Sequence, residues 1–158
     1  MCVNLKTGLY YGNFNSSLPE QGERFASDTE GVDGIKNIAI NVSEVESSTG
    51  KKTVELKLFA PDGLCAVISK SIICTVEKIE NCPLEKINNK DCLCVVFKEK
   101  TRGIPGNTYG SAIIQLNEQT GELTEGEYWT NGGTSGVITD LKLQDLKDEE
   151  RSEPRSEE

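Results

Sequence analysis

Histidine is absent from all 158 residues. That removes every Ser-His-Asp or Cys-His mechanism and every imidazole-ligated metal site. Long apolar runs are missing too. The longest lies between Leu64 and Cys74 and is broken by Lys70, short of the ~20 residues that a bilayer-crossing helix needs. Positive charge is scarce: 17 Lys and Arg stand against 26 Asp and Glu, a net of −9. Such a balance argues against general binding to polyanionic duplexes or anionic membrane surfaces, but not against a small local basic pocket. No CxxC occurs. Cys92 and Cys94 share a strand face, yet no second pair has matching spacing, so no zinc site is spelled out. No export signal opens the sequence as given, which predicts a soluble chain kept in the cytoplasm. In that compartment Cys2, Cys65, Cys74, Cys82, Cys92 and Cys94 read as reduced thiols that behave as small hydrophobes.

What is present is a periodicity of two. Val54, Leu56, Leu58 and Ala60 alternate with Thr53, Glu55, Lys57 and Phe59, as in a strand with one buried face. Ile38, Ile40 and Val42 form a similar series, and so do Ile72, Cys74 and Val76. Further strand-like runs are Leu5 to Phe14, Leu64 to Ser69, Cys92 to Glu99, Tyr109 to Leu116, Leu123 to Thr130 and Gly136 to Leu143. Turn signals separate them: Pro61-Asp62-Gly63, Asn88 to Asp91, Asn117 to Gly121 and Asn131-Gly132-Gly133. No window carries apolar residues at helical spacing behind a capping signal. The expectation is an all-β domain over 1–143, a closed antiparallel barrel of about eight strands, since closure removes exposed edges. Asn15 to Asp33 reads as a loop across one barrel end. Residues 144–158 hold seven acids, three bases and almost nothing apolar, and read as a disordered acidic tail. Without that tail the chain is still at −5.

Three stretches carry candidate chemistry. Lys98 to Gly110 places three bases in five positions, then a Gly/Pro loop, then Tyr109. It is either a phosphate-binding loop using Lys100 and Arg102 or a solvated connection. Gly126 to Gly136 contains the only Trp. Tyr128 and Trp129 point to opposite faces of a strand, so Trp129 either stacks on a planar ligand at the barrel mouth or plugs the core and leaves Tyr128 in solvent. Gly8-Leu9-Tyr10-Tyr11-Gly12 opens the barrel, and its glycines relieve crowding where a sheet bends tightly. Glu122, Glu125 and Glu127 read as solvent-facing. No nucleophile–base pair and no metal set can be assembled, so binding rather than catalysis is expected.

Tyr109 to Leu116, Gly121 to Asn131 and Thr134 to Ile138 together resemble a family signature. It is that of the β-strand-rich sensor domain of SMODS-associating two-transmembrane effectors of bacterial CBASS antiphage systems. Gly8 to Gly12 is similar to that barrel's first strand. The resemblance implies a sensor for a cyclic dinucleotide made by a partner nucleotidyltransferase. Ligand binding would drive self-association and disrupt the inner membrane through helices, with the barrel in the cytoplasm. Those two helices are not in this sequence, making it a sensor domain without them or a free-standing relative. Gly132 and Gly133 stand where a basic residue is expected, which shifts the phosphate contact to Arg102. The implied site has Arg102 and Lys100 at phosphates, with Tyr109 and Trp129 stacking. Thr130, Asn131 and Thr134 would read base edges or sugar hydroxyls, and Tyr11 joins them from the first strand. No metal or cofactor is implied. Two other readings stay open: a lipocalin-like carrier of an apolar small molecule, and a free-standing decoy for the same nucleotide.

Overall fold

Alternating β-branched and polar residues, punctuated by turn residues, form eight strands in the computed structural model of the chain. It describes residues 5–16, 37–46, 51–60, 64–80, 89–131 and 133–144. The strands are β1 Gly8–Ser16, β2 Ile38–Glu46, β3 Lys51–Phe59, β4 Cys65–Ile79, β5 Lys90–Thr101, β6 Thr108–Leu116, β7 Leu123–Thr130 and β8 Ser135–Leu143. Each pairs antiparallel with the next, and β1 pairs with β8 to close the barrel. No helix occurs among the described residues, and none there is long and apolar enough to cross a membrane. The all-β closed barrel expected from the sequence is the observed fold. Gln144, placed in the acidic tail by the sequence, still donates its N–H to the carbonyl of Leu9 at 2.8 Å; residues 145–158 and nearly all of the long loop after β1 lie outside the described residues.

Two expectations about the strands are corrected. The runs Leu64 to Ser69 and Ile72 to Val76 are one 15-residue strand, β4, because no turn residue separates them. The irregularity between them is a bulge: Ser71 pairs with Phe97 and Ile73 with Val96, leaving Ile72 as the extra residue. Ile72 is therefore 56% exposed rather than buried. The first strand starts at Gly8 and runs on through Asn15 and Ser16, which the sequence reading placed in a loop. Leu5 to Thr7 instead lie over the end of the barrel. There Leu5 is buried, Lys6 N donates to the carbonyl of Gly121 at 2.9 Å, and Tyr10 Oη donates to the carbonyl of Lys6 at 2.6 Å.

Inward side chains fill the cylinder. Tyr10, Phe97, Tyr128, Ile38, Ile40 and Leu58 are each at most 1% exposed. Tyr128 stacks on Phe97 with ring centroids 5.2 Å apart, and Phe14 meets Tyr128 edge-on at 5.5 Å. Gly110 and Gly136 make room for rings: a Cβ at Gly110 would lie 2.8 Å from Phe97, and one at Gly136 2.8 Å from Phe14. Gly12 relieves crowding against an aliphatic side chain instead, since a Cβ there would lie 2.7 Å from Leu141.

Burial pushes the Tyr10 phenol up from 10.0 to about 12. A raised native pKa means the neutral phenol contributes stability in full below pH 10 and loses it as pH rises through about 12. The contribution is on the order of 2 kcal/mol. Tyr10→Phe should cost about 1 kcal/mol at neutral pH through the lost hydrogen bond. It should also flatten the decline of stability between pH 10 and 12. Urea denaturation across that window measures both effects, and an unchanged alkaline slope would refute the assignment.

Candidate functional site

Three consecutive strands, β5, β6 and β7, bring most of the sequence-predicted residues to one end of the barrel and its adjoining outer wall. The β5–β6 loop is shaped by a strand lysine. Lys100 Nζ donates to the carbonyls of Ile104 at 2.8 Å and Gly106 at 3.4 Å. Arg102 is exposed on that loop, and its main-chain N–H donates to Ala66 at 2.8 Å. Across the β7–β8 turn, Thr130 N donates to the carbonyl of Thr134 at 2.9 Å, and Thr134 N donates to Thr130 Oγ1 at 3.2 Å. Asn131 extends the β6–β7 ladder. Its N–H donates to the carbonyl of Tyr109 at 2.8 Å while its Oδ1 accepts from Tyr109 N at 3.1 Å. Thr130, Asn131 and buried Thr134 thus use their polar atoms to hold the turn.

The two aromatic residues face outward. Trp129 is 41% and Tyr109 49% exposed. Trp129 lies opposite Ser111, and Tyr109 is two residues along β6 from Ser111. That diagonal relation puts the two side chains roughly 7–8 Å apart. Tyr109 lies opposite Lys98 on β5, and Lys98 opposite Lys70 on β4. Like charges directly across a ladder are unfavourable. Lys70 reaches Glu55 at 4.0 Å, while Lys98 makes no ion pair among the described residues. Ile73, Val96, Ser111 and Trp129 form the next row across the same wall. An acidic protein therefore presents one wall with two rings, two facing lysines, Lys100 and Arg102.

Of the two arrangements the sequence allowed for the Tyr-Trp pair, the one with Trp129 in the core and Tyr128 in solvent is corrected. Tyr128 is the buried member, at 1% exposure, and Trp129 the exposed one. The reason lies on neighbouring strands: Gly136 sits opposite Tyr128 and Phe97 stacks on it, which leaves space for a ring inside only at 128. The wall is also not the concave mouth anticipated from sequence, since Phe97, Tyr128 and Phe14 occupy the interior at that end. Tyr11 does not join the others. It pairs with Ala39 and Lys142 and lines a separate external groove of about 260 Å³ with Leu9, Ala39, Lys57 and Phe59.

Sequence reasoning missed Glu99. Although flanked by exposed Lys98 and Lys100, it points inward and is 3% exposed. Its carboxylate accepts from Tyr128 Oη, from Thr108 Oγ1 at 3.1 Å and from Ser69 Oγ at 3.4 Å. Those partners come from β7, β6 and β4. Thr108 and Tyr128 immediately precede Tyr109 and Trp129, so this internal cluster fixes which faces of β6 and β7 the exposed rings occupy. The alternation Lys98-Glu99-Lys100 was the available signal.

Cys65, Cys74 and Cys94 have thiols raised above the usual value, chiefly by burial, which lowers their reactivity as nucleophiles. None of Cys65, Cys74, Cys92 and Cys94 is in a disulfide. Among the described residues no three His, Cys, Asp or Glu converge to hold a metal. No family model, curated protein or solved structure matches this chain.

Proposed function

We propose that the chain is a non-catalytic sensor that binds a cyclic dinucleotide on the outer wall of β5, β6 and β7. The observation that carries this reading is the neighbouring exposed rings of Trp129 and Tyr109 beside the facing lysines Lys98 and Lys70, in a chain of net charge −9. A cyclic dinucleotide combines two flat bases with two phosphates. Trp129 and Tyr109 supply stacking faces, Lys98 and Arg102 supply charge to phosphates, and Lys100 keeps the loop shaped while adding to the local positive field. Confining cations to one wall lets a net-acidic protein bind an anion. Coupling of occupancy to self-association and membrane disruption, through helices outside this sequence, rests on the family resemblance alone. The filled interior speaks against an apolar ligand carried inside the barrel.

A panel of cyclic dinucleotides in a thermal-shift assay tests the reading. At least one should raise the melting temperature, while the matching linear dinucleotides do so less. Trp129→Ala should weaken that ligand about 5- to 150-fold, as expected for about 1–3 kcal/mol of stacking. Lys98→Ala should weaken it and reduce its salt dependence. A panel without effect, or a ligand indifferent to both substitutions, would refute the proposal.

A further inference from the structure

A closed barrel has no free edge, but this one opens over part of its circumference. β3 and β4 pair only from Glu55 with Lys70 to Phe59 with Cys65. Beyond the Ser71–Ile73 bulge, β4 continues from Ile72 to Ile79 paired with β5 alone. It is the longest one-sided stretch among the described residues. Elsewhere side chains cover such gaps. Where β1 leaves β2, Asn37 Oδ1 accepts from Phe14 N at 2.6 Å, and Asn37 Nδ2 donates to its carbonyl at 2.7 Å. Where β3 parts from β4, Val54 N donates to Ser71 Oγ at 2.9 Å. Among the described residues nothing comparable reaches Ile72–Ile79. An opening of about 390 Å³, lined by Ser43, Thr53, Val54 and Ser71 among others, lies beside the point of divergence.

The stretch reads Ile-Ile-Cys-Thr-Val-Glu-Lys-Ile. It is rich in β-branched residues, contains no Pro or Gly, and has one acid and one base. Edge strands are ordinarily blunted by charge, proline or a cover, whereas Ile72 and Ile73 are each 56% exposed here. A strand of this composition with an open ladder pairs readily with its own copy. Its zero net charge avoids the repulsion that much of a −9 chain imposes on self-association.

We propose that Ile72–Ile79 is a dimerisation edge, through which two copies pair antiparallel about a two-fold axis to form one continuous sheet across two barrels. The antiparallel sense follows from charge. It sets Ile72 and Ile73 of one copy against Glu77 and Lys78 of the other, whose aliphatic stems cover the isoleucines. A parallel pairing would place Glu77 beside Glu77 and Lys78 beside Lys78. The contact is isologous and closes at two copies. It needs no nucleotide and stands independently of the sensor reading.

Sedimentation equilibrium of the full chain without added ligand, from micromolar to millimolar concentration, tests it. A monomer–dimer equilibrium is expected, with amides 72–79 exchanging more slowly as concentration rises. Ile73→Glu and, separately, Thr75→Asp should each weaken the dimer about ten-fold or more, because the first sets a second carboxylate opposite Glu77 and the second sets two carboxylates against each other across the two-fold axis. Near-ultraviolet circular dichroism from the core aromatics should stay unchanged in both variants. A monomer throughout the range would leave the edge to a strand of another protein and overturn the proposal. So would a dimer unaffected by both substitutions.

Discussion

Gly126→Ala should destabilise the barrel by at least about 3 kcal/mol, lowering the melting temperature by roughly 10 °C in a domain of this size. Gly126 sits on β7, opposite both Ile114 of β6 and Ile138 of β8. A Cβ at that position would collide with the carbonyl oxygen of Ile113 and lie 2.7 Å from the Ile114 Cα. Main-chain atoms of a paired strand cannot swing aside as a flexible side chain can, so relief requires β6 and β7 to part. The same methyl at Gly133, which has nothing within 4 Å, meets no such obstacle. It suffers only the cost of a positive φ, 99° at that turn, of roughly 1–2 kcal/mol. Thermal denaturation of the two variants side by side distinguishes contact from conformation. If Gly133→Ala proved the more damaging, the close approach of β6 and β7 would be disproved.

Tyr128→Phe should cost about 2–3 kcal/mol, more than an ordinary lost hydrogen bond, because the hydroxyl removed is a donor to a buried carboxylate. The phenyl ring can keep its stack on Phe97 and its edge contact with Phe14, so the loss isolates the polar contacts of the hydroxyl, with Glu99 and with Ser69 Oγ at 3.3 Å. Glu99 would remain enclosed with only the Thr108 and Ser69 hydroxyls. Removing both partners is a different matter. A Glu99→Leu/Tyr128→Phe double variant leaves no uncompensated charge and should recover much of the loss, since replacing a whole buried polar pair by apolar groups is often nearly neutral. The double-mutant cycle, followed by urea denaturation, should therefore be strongly non-additive. Additive losses would show that the carboxylate and the phenol do not act as a pair.

Local patterning carried much of this architecture. β7 runs from Leu123 to Thr130 in the structure, the same limits that alternation and flanking turn residues define in the sequence. The hairpin after Asn117 was equally legible. Asn117 Oδ1 accepts from the N–H groups of Gln119 and Thr120, and Gly121 takes a φ of 80°. Continuity was harder to read. Nothing between Ser69 and Ile73 announces that β4 bends without stopping, because a bulge needs no special residue and depends on the partner strand. The facing of Tyr128 and Trp129 was half legible: alternation sets them on opposite sides, but only Gly136 and Phe97 decide which ring is enclosed.

The candidate site was divided in the same way. Lys100, Arg102, Tyr109 and Trp129 are grouped by adjacent strands and could be anticipated from two turns and their flanks. The role of Glu99 rests on hydroxyls 30, 29 and 9 residues away in sequence, a convergence that exists only after the barrel has closed. The pairing of Lys98 with Lys70 also depends on register across strands separated by a long connection. Tyr11 was misplaced because its motif carries no information about which wall of the barrel it faces.

Trp129 is the only tryptophan of the chain and is 41% exposed on the proposed binding wall, so its emission reports that wall alone. A fluorescence titration of the unmodified protein with cyclic dinucleotides is the most direct test of the account. Saturable quenching that weakens with added salt, and is lost or greatly weakened in Lys98→Ala, is the predicted result. Binding that leaves Trp129 emission unaltered, or emission unchanged by every cyclic dinucleotide tried, would contradict it.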